Sequence, residues 1–267
     1  MKLDGKVALV TGVGPNIGQA IARCLADAGA KVACNDVRAD QAEAVAADIT
    51  KAGGMALAVS CDVTSEAAVE EMVAKTVATF GGVDILVNNA FKLARQGLLD
   101  STLADWENVL RVILNGTFLT SRAVAKQMVA QGRGGSIVHI ASTSGHRGRA
   151  GDLAYCTAKG GILNLTRAMA MDLVKHGIRV NSVTPTKTGL TAEALKKSGN
   201  AQALKLGRNF YADVPMDRLG DPFEIAKAVL FFASDDSSFC TGTDLRADGG
   251  SLATWSLQAD KLERLAP

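Results

Sequence analysis

The sequence predicts an α/β fold in which a doubly wound parallel sheet of about seven strands carries helices on both faces. Short apolar or β-branched runs alternate with longer helical patterns along the chain. A glycine-rich turn joins the first such run to the first helical pattern. No repeat, linker or low-complexity stretch interrupts this alternation, so residues 1–267 are expected to form a single domain.

The strands are predicted where apolar runs have the length of buried parallel strands, at residues 6–11, 31–36, 55–60, 84–87, 136–141, 178–183 and 243–246. Helical patterns lie between them, at residues 19–30, 41–52, 67–80, 106–131, 153–176 and 221–234. The pattern at 106–131 is unusually long, and a bend within it would be compatible with the sequence. Residues of about 186–215 are charged and weakly patterned, which is compatible with a mobile lid over a substrate.

Composition excludes several classes of function. Hydrophobic residues make up 48% of the chain, and the formal net charge of +2 is too small to favour nucleic acid as a partner. No apolar run approaches the roughly 18 residues of a membrane span, and no signal peptide is visible, so we expect a cytoplasmic protein without membrane contacts. The five cysteines lack metal-ligand spacing, so reduced thiols and no metal site are expected.

The glycine-rich turn contains Gly12, Asn16, Ile17 and Gly18, between a strand and a helix. Glycines let the backbone approach a pyrophosphate, and the helix N-terminus supplies amide donors and the positive end of a dipole. The turn therefore indicates a dinucleotide site, although an ordinary strand-to-helix turn is the alternative.

Acidic and amide side chains follow the next strands. A carboxylate at Asp36, where the second strand ends, accepts hydrogen bonds from ribose hydroxyls and repels a 2′-phosphate, which favours NAD over NADP. Arg38 lies close enough to Asp36 in the sequence that NADP stays an alternative coenzyme. Asp62 is expected either to bind adenine or to cap the helix that begins near Ser65. Asn89 follows the fourth strand, at the sheet edge where ligands bind.

Tyr155 and Lys159 lie one turn apart on the same face of a predicted helix. A phenol has a pKa of about 10, and a neighbouring ammonium favours its ionised form, so Lys159 is expected to lower the pKa of Tyr155, and Lys159 together with an oxidised nicotinamide to move it toward 7. Such a tyrosine can exchange a proton with an alcohol or a carbonyl. A solvated surface pair is the alternative.

In its motifs and their order, nearly the whole chain resembles the short-chain dehydrogenase/reductase family, whose domain is an NAD(P)-binding Rossmann fold. The resemblance rests on Thr11-Gly12 with Ile17-Gly18, Asp62-Val63, Asn88-Asn89-Ala90, Ser142, Tyr155 with Lys159, Asn181 with Pro185, and the run from Arg218 to Asp248-Gly249-Gly250. It implies that Tyr155 is the general acid/base, that Ser142 stabilises the substrate oxygen, and that Lys159 holds the nicotinamide ribose. It implies a coenzyme site formed by Gly12, Asn16, Ile17, Gly18, Asp36, Asp62, Val63, Asn89, Tyr155, Lys159, Pro185 and Thr188. It also implies a homotetramer.

Several positions depart from the family's pattern, among them Gly14 and Pro15 in the turn and Thr186 after Pro185. Asn16 stands where the family has glycine, although asparagine tolerates a left-handed backbone better than most residues. Phe91 replaces a glycine, so its ring is expected to enter the pocket. Ile113 occupies the position of the family's active-site asparagine. Asn115 could join the proton relay only if the helix is kinked or bulged there, and a purely structural role for it is equally open.

The expected reaction is hydride transfer between NAD(H) and a secondary alcohol or ketone. Cationic loop residues suggest an anionic substrate, against the alternative of solvated loop charges: Lys92, Arg95, His146, Arg147, Arg149 and Lys187. Other functions stay open, namely an NADP-dependent 3-oxoacyl-thioester reductase, a non-catalytic nucleotide sensor and, more remotely, a halohydrin-cleaving enzyme.

Overall fold

The computed structural model of the chain describes residues 2–189 and 214–254. Most of the predicted lid at 186–215 therefore lies outside the described residues.

A seven-stranded sheet forms the centre of the molecule, and every neighbouring pair of its strands is parallel. The strands are β1 (Val7–Thr11), β2 (Lys31–Asp36), β3 (Ala56–Ser60), β4 (Ile85–Asn88), β5 (Gly135–Ile140), β6 (Ile178–Pro185) and β7 (Asp244–Ala247). Their order is β3-β2-β1-β4-β5-β6-β7, so the winding direction reverses between β1 and β4. A ligand site is expected beyond the carboxyl ends of these two strands.

Seven α-helices connect the strands: α1 (Ile17–Asp27), α2 (Ala39–Lys51), α3 (Glu66–Phe80), α4 (Leu103–Leu110), α5 (Gly116–Gln131), α6 (Leu153–Leu173) and α7 (Pro222–Ala233), counted over the described residues. The predicted α/β fold with helices on both faces is confirmed.

Side chains of one strand point alternately to the two faces of the sheet. On β1, Ala8 and Val10 pack with α1, α2 and α7 in one buried cluster. Leu9 faces the other way and packs with α3, α5 and α6. Both faces of the central strands are therefore buried, which explains why the strands are apolar throughout rather than alternating.

Capping residues determine where several helices begin. Thr102 Oγ1 accepts a hydrogen bond from Asp105 N (3.1 Å), so α4 begins at Leu103, before the start predicted at residue 106. Asp221 and Glu224 form a reciprocal capping box at the start of α7.

The long helical segment predicted at 106–131 is interrupted by one π-helical turn, Arg111–Asn115, between α4 and α5. The bulge on which the role of Asn115 depends is therefore present. Among the described helices, none is both long and apolar enough to cross a bilayer.

Candidate active site

A cleft of about 610 Å³ lies beyond the carboxyl ends of β1 and β4, where the winding reverses. It is lined by most of the predicted site residues: Gly12, Asn16, Ile17, Gly18, Asp36, Asp62, Val63, Asn89, Ser142, Tyr155, Lys159 and Pro185. Phe91 also lines it, as its position in place of a glycine predicted.

Two glycines of the turn leave no room for a side chain. A Cβ added to Gly18 would lie 2.0 Å from Gly12 O, and one added to Gly12 would lie 2.8 Å from the Ala90 backbone. Asn89 Nδ2 donates to Gly12 O (2.6 Å) and fixes the turn against the end of β4. The backbone therefore forms one wall of the cleft directly, as a bound pyrophosphate would require.

Asn16 has the positive φ of 89° expected from its position in place of a glycine. Its side chain does not cap α1. Instead Asn16 Nδ2 donates to Thr188 O (3.1 Å), on the loop that follows β6. Thr188 itself is not among the residues that line the cleft.

The carboxylate of Asp36 accepts hydrogen bonds from Gly14 N (3.0 Å) and Arg38 N (3.1 Å). The guanidinium of Arg38 is paired with Asp40 (2.7 Å) on the exposed surface. That hydrogen bond raises the pKa of Arg38 and lowers that of Asp40. Arg38 is thus directed toward a carboxylate of its own chain.

Asp62 lines the cleft at the end of β3, where its Oδ1 accepts from Thr64 N (2.9 Å). Ser65, rather than Asp62, caps the following helix, because Ser65 Oγ accepts from Ala68 N (3.4 Å). Of the two predicted roles for Asp62, the helix cap is therefore wrong, and the contact to adenine stays a prediction.

Ser142 and Tyr155 meet because the loop after β5 packs on the first turns of α6. A Cβ added to Gly145 would lie 2.6 Å from Lys159 O, so the loop and the helix touch through their backbones. The hydroxyl group of Ser142 is close enough to that of Tyr155 to favour the ionised form of Tyr155. Lys159 Nζ lies 5.8 Å from the centroid of the Tyr155 ring and donates to Ile140 O (2.5 Å).

Burial dominates the ionisation of this pair in the coenzyme-free protein. It raises the pKa of Tyr155, and the Ser142 hydroxyl acts in the opposite direction. Burial also lowers the pKa of Lys159 to about 7. The expectation that Lys159 by itself lowers the pKa of Tyr155 is therefore wrong for the free protein, because both charged forms lose their hydration. A shift toward 7 in the presence of the oxidised coenzyme stays a prediction.

A buried polar network behind the cleft was missed by the sequence analysis. Thr120 Oγ1 donates to Asn88 Oδ1 (2.6 Å), and Asn88 Nδ2 donates to Ser121 Oγ (2.9 Å). His139 continues the network, with Nε2 at 3.4 Å from Ser121 Oγ and Nδ1 at 3.0 Å from Thr166 Oγ1. Since the Thr166 hydroxyl donates to Ile162 O, the proton of a neutral His139 belongs on Nδ1.

Comparisons with known proteins agree with this geometry. The sequence model of a family described as "Enoyl-(Acyl carrier protein) reductase" matches residues 12–251. D-threitol dehydrogenase of Mycolicibacterium smegmatis is 37% identical over 259 residues, which cover 93% of this chain and 94% of that protein. A short-chain type dehydrogenase/reductase from Mycobacterium marinum has a crystal structure that matches with a TM-score of 0.86 and 37% identity, over 95% of this chain and 98% of that one.

The chain belongs to the short-chain dehydrogenase/reductase family. A crystal structure of NAD+-bound xylitol dehydrogenase also matches, with a TM-score of 0.86, 38% identity and coverage of 94% of this chain and 100% of that one. The chain is thus an oxidoreductase whose relatives include dehydrogenases that are named for their alcohols.

The structure does not bring Asn115 to the active site of this dehydrogenase/reductase. Asn115 is exposed and does not line the cleft, whereas Ile113 is buried against Ala158 and Ile162 of α6. Asn108 of α4 lines the cleft instead, with Arg111 and Val112 at the start of the π-helical turn. Their spacing of three and four residues on one helix was the available signal.

Three of the cations predicted to meet an anionic substrate are bound to the protein itself. His146 Nε2 lies 3.2 Å from Asp244 Oδ2, and Arg149 Nε lies 3.3 Å from Asp152 Oδ2. Arg147 donates to Ser251 Oγ (2.9 Å) and Ser251 O (3.2 Å). These side chains anchor the loop of Ser142, and none of them lines the cleft. Of the other predicted cations, only Lys92 lines it.

Within the described residues, 2–189 and 214–254, no group of three His, Cys, Asp or Glu side chains is placed to bind a metal ion.

Proposed function

We propose that this protein is an NAD-dependent dehydrogenase that interconverts a neutral secondary alcohol, of the polyol or vicinal diol class, and its ketone. One observation carries the proposal: the cleft that contains the glycine-rich turn and Asp36 also contains Ser142, Tyr155 and Lys159. A dinucleotide that extends from Asp36 to Tyr155 would place its diphosphate at the turn.

The residues present fit a nicotinamide coenzyme. Gly12 and Gly18 allow a tightly packed turn whose backbone lines the cleft and could approach a diphosphate. Asp36 would accept from the ribose hydroxyls, and Lys159 would bind the second ribose. When bound, the coenzyme supplies the hydride acceptor and donor.

In alcohol oxidation, the Tyr155 oxygen takes the hydroxyl proton of the substrate while Ser142 Oγ hydrogen-bonds to the substrate oxygen. Burial raises the pKa of Tyr155, so its ionised form needs compensating charge nearby. The ammonium form of Lys159, which burial disfavours above about pH 7 in the free protein, would provide that charge across the 5.8 Å to the ring once Tyr155 ionises. In the reverse direction, Tyr155 returns its proton to the carbonyl oxygen.

Charge at the end of β2 favours NAD over NADP. Asp36 would repel a 2′-phosphate, and Arg38 is already paired with Asp40.

A neutral substrate is favoured over an anionic one for two reasons. His146, Arg147 and Arg149 bind groups of the protein, which removes half of the cations behind the anionic hypothesis and leaves Lys92, with Arg111 of the π-helical turn, as cations that line the cleft. Relatives of this chain are named for threitol and xylitol, which are uncharged polyols.

The test is a turnover screen of polyols, diols and hydroxy acids, each with NAD and with NADP, followed by Tyr155→Phe with the best substrate. We expect NAD-linked oxidation of a neutral substrate and a loss of about 10²- to 10⁴-fold in kcat for the variant. Its NADH affinity, measured by fluorescence titration, should stay within twofold of wild type. A variant that keeps more than a tenth of wild-type kcat would refute the role of Tyr155.

An acyl-thioester reductase is the second candidate, because the matching family model is described by such a reaction. The same screen should include acetoacetyl and crotonyl thioesters with NADPH. Faster turnover of a thioester than of every alcohol would replace the proposed function, and nucleotide binding without any turnover would favour a sensor.

A further inference from the structure

The hydrogen bond from Asn16 Nδ2 to Thr188 O (3.1 Å) joins the glycine-rich turn, which lines the cleft, to the loop after β6, beside another wall of the cleft. Asn16 belongs to the glycine-rich turn before α1. Thr188 belongs to the loop after β6, next to the cleft residues Pro185 and Thr186. The two residues are 172 positions apart in the sequence, so the bond is a tertiary contact between separate elements.

The backbone of Asn16 does not explain why an asparagine stands there. Its φ of 89° and ψ of −127° are a conformation that glycine adopts without strain and other residues rarely adopt. The side chain is not used to cap the helix that follows. Its bond to Thr188 O is therefore what the asparagine provides and a glycine would not.

The far wall is anchored, so the bond connects two fixed structures. Thr188 forms an isolated parallel bridge with Gly220. Gly220 N donates to Lys187 O (3.0 Å), and Gly189 N donates to Gly220 O (3.2 Å). Gly220 immediately precedes the capping box of α7. An opening movement between the turn and this wall must therefore break the Asn16 bond.

We propose that Asn16 is a positioning residue that closes the cleft across the diphosphate of the bound coenzyme and limits how fast the coenzyme enters and leaves. The inference rests on the proposed function only in requiring that a dinucleotide occupies the cleft. A bond present in both the free and the bound protein adds to the barrier of exchange but not to affinity.

The test is stopped-flow measurement of NADH association and dissociation with wild type, Asn16→Gly and Asn16→Ala. Loss of one hydrogen bond is expected to raise both rate constants about fivefold, equivalent to about 1 kcal/mol, and to leave Kd within twofold. Asn16→Ala should show the same rates with a lower thermal midpoint than Asn16→Gly, because alanine retains the left-handed strain. Gln19→Ala, on the first turn of α1 and outside the cleft lining, is the matched control and should retain wild-type rates.

The outcomes separate this inference from the proposed function. If wild type fails to bind NADH, the proposed function is refuted. If wild type binds NADH and both variants exchange it at the wild-type rates, the closing bond is refuted alone. A higher Kd with an unchanged association rate would show that Asn16 contacts the coenzyme directly, and would also overturn the inference.

Discussion

Removal of the buried amine of Lys159 should change how stability depends on pH. In the free protein burial lowers the pKa of Lys159 to about 7, from 10.5 in an exposed lysine. Below pH 7 the amine is protonated in both the folded and the unfolded chain. Between pH 7 and 10.5 mainly the unfolded chain keeps the proton, so the folded state gains stability as the pH rises.

The expected size of this gain follows from the linkage between protonation and folding. Between pH 7 and 9, Lys159 should add about 2 kcal/mol to the free energy of unfolding of the wild type. Lys159→Met lacks the titrating group, so its stability relative to wild type should fall by that amount over the same range. The assay is urea unfolding of the coenzyme-free proteins at pH 7, 8 and 9, at one protein concentration and one ionic strength.

Lys75→Met serves as the matched control, because it removes an exposed lysine of α3 by the same substitution. The quantity compared is the pH dependence of Lys159→Met after subtraction of that of Lys75→Met. The stability difference between Lys159→Met and wild type, after this subtraction, could stay constant within about 0.5 kcal/mol from pH 7 to 9, well below the expected change. That result would refute the conclusion that burial leaves Lys159 uncharged above about pH 7.

Two further perturbations test the turn and the buried network. Gly18→Ala puts a Cβ 2.0 Å from Gly12 O, so NADH affinity by fluorescence titration should fall at least about tenfold; affinity within twofold of wild type would contradict the tight turn. Burial, with the charge of Lys159 as a second cause, lowers the pKa of His139 to about 3 from 6.5. The folded state should therefore lose about 2 kcal/mol of stability between pH 6.5 and 4.5, because the unfolded chain takes up a proton first. His139→Asn should lack this component in urea unfolding, and an equal acid sensitivity of the two proteins would show that His139 is not buried as a neutral base.

The strands were predictable because burial on both faces makes each one a continuous apolar run. All seven predicted strands are present, and their ends lie within two residues of the prediction. Helix starts were harder to predict, since a cap such as Thr102 acts through a single local hydrogen bond outside the apolar pattern.

The π-helical turn shows that a motif can indicate a bulge without indicating which side chains the bulge brings to the cleft. A bulge between Arg111 and Asn115 was recognised as the condition for Asn115 to join the site, and the bulge is present. Asn115 is nevertheless exposed, and Arg111 of the turn lines the cleft together with Asn108 of α4. The direction in which a bulged helix turns its side chains depends on tertiary packing, here of Ile113 against α6. Residue spacing in the sequence does not reveal this packing.

The amino-acid sequence by itself determined the order of the elements, the glycine-rich turn and the pairing of Tyr155 with Lys159, because these depend on local periodicity and on residues one turn apart. Only the tertiary structure decided which partner each polar or charged side chain binds and how deeply it is buried. Arg147 binds Ser251, Asn16 binds Thr188, and Lys159 is buried deeply enough to lose its charge near pH 7. Such partners come from distant parts of the chain, and the balance between hydration and charge pairing depends on distances that exist only after folding.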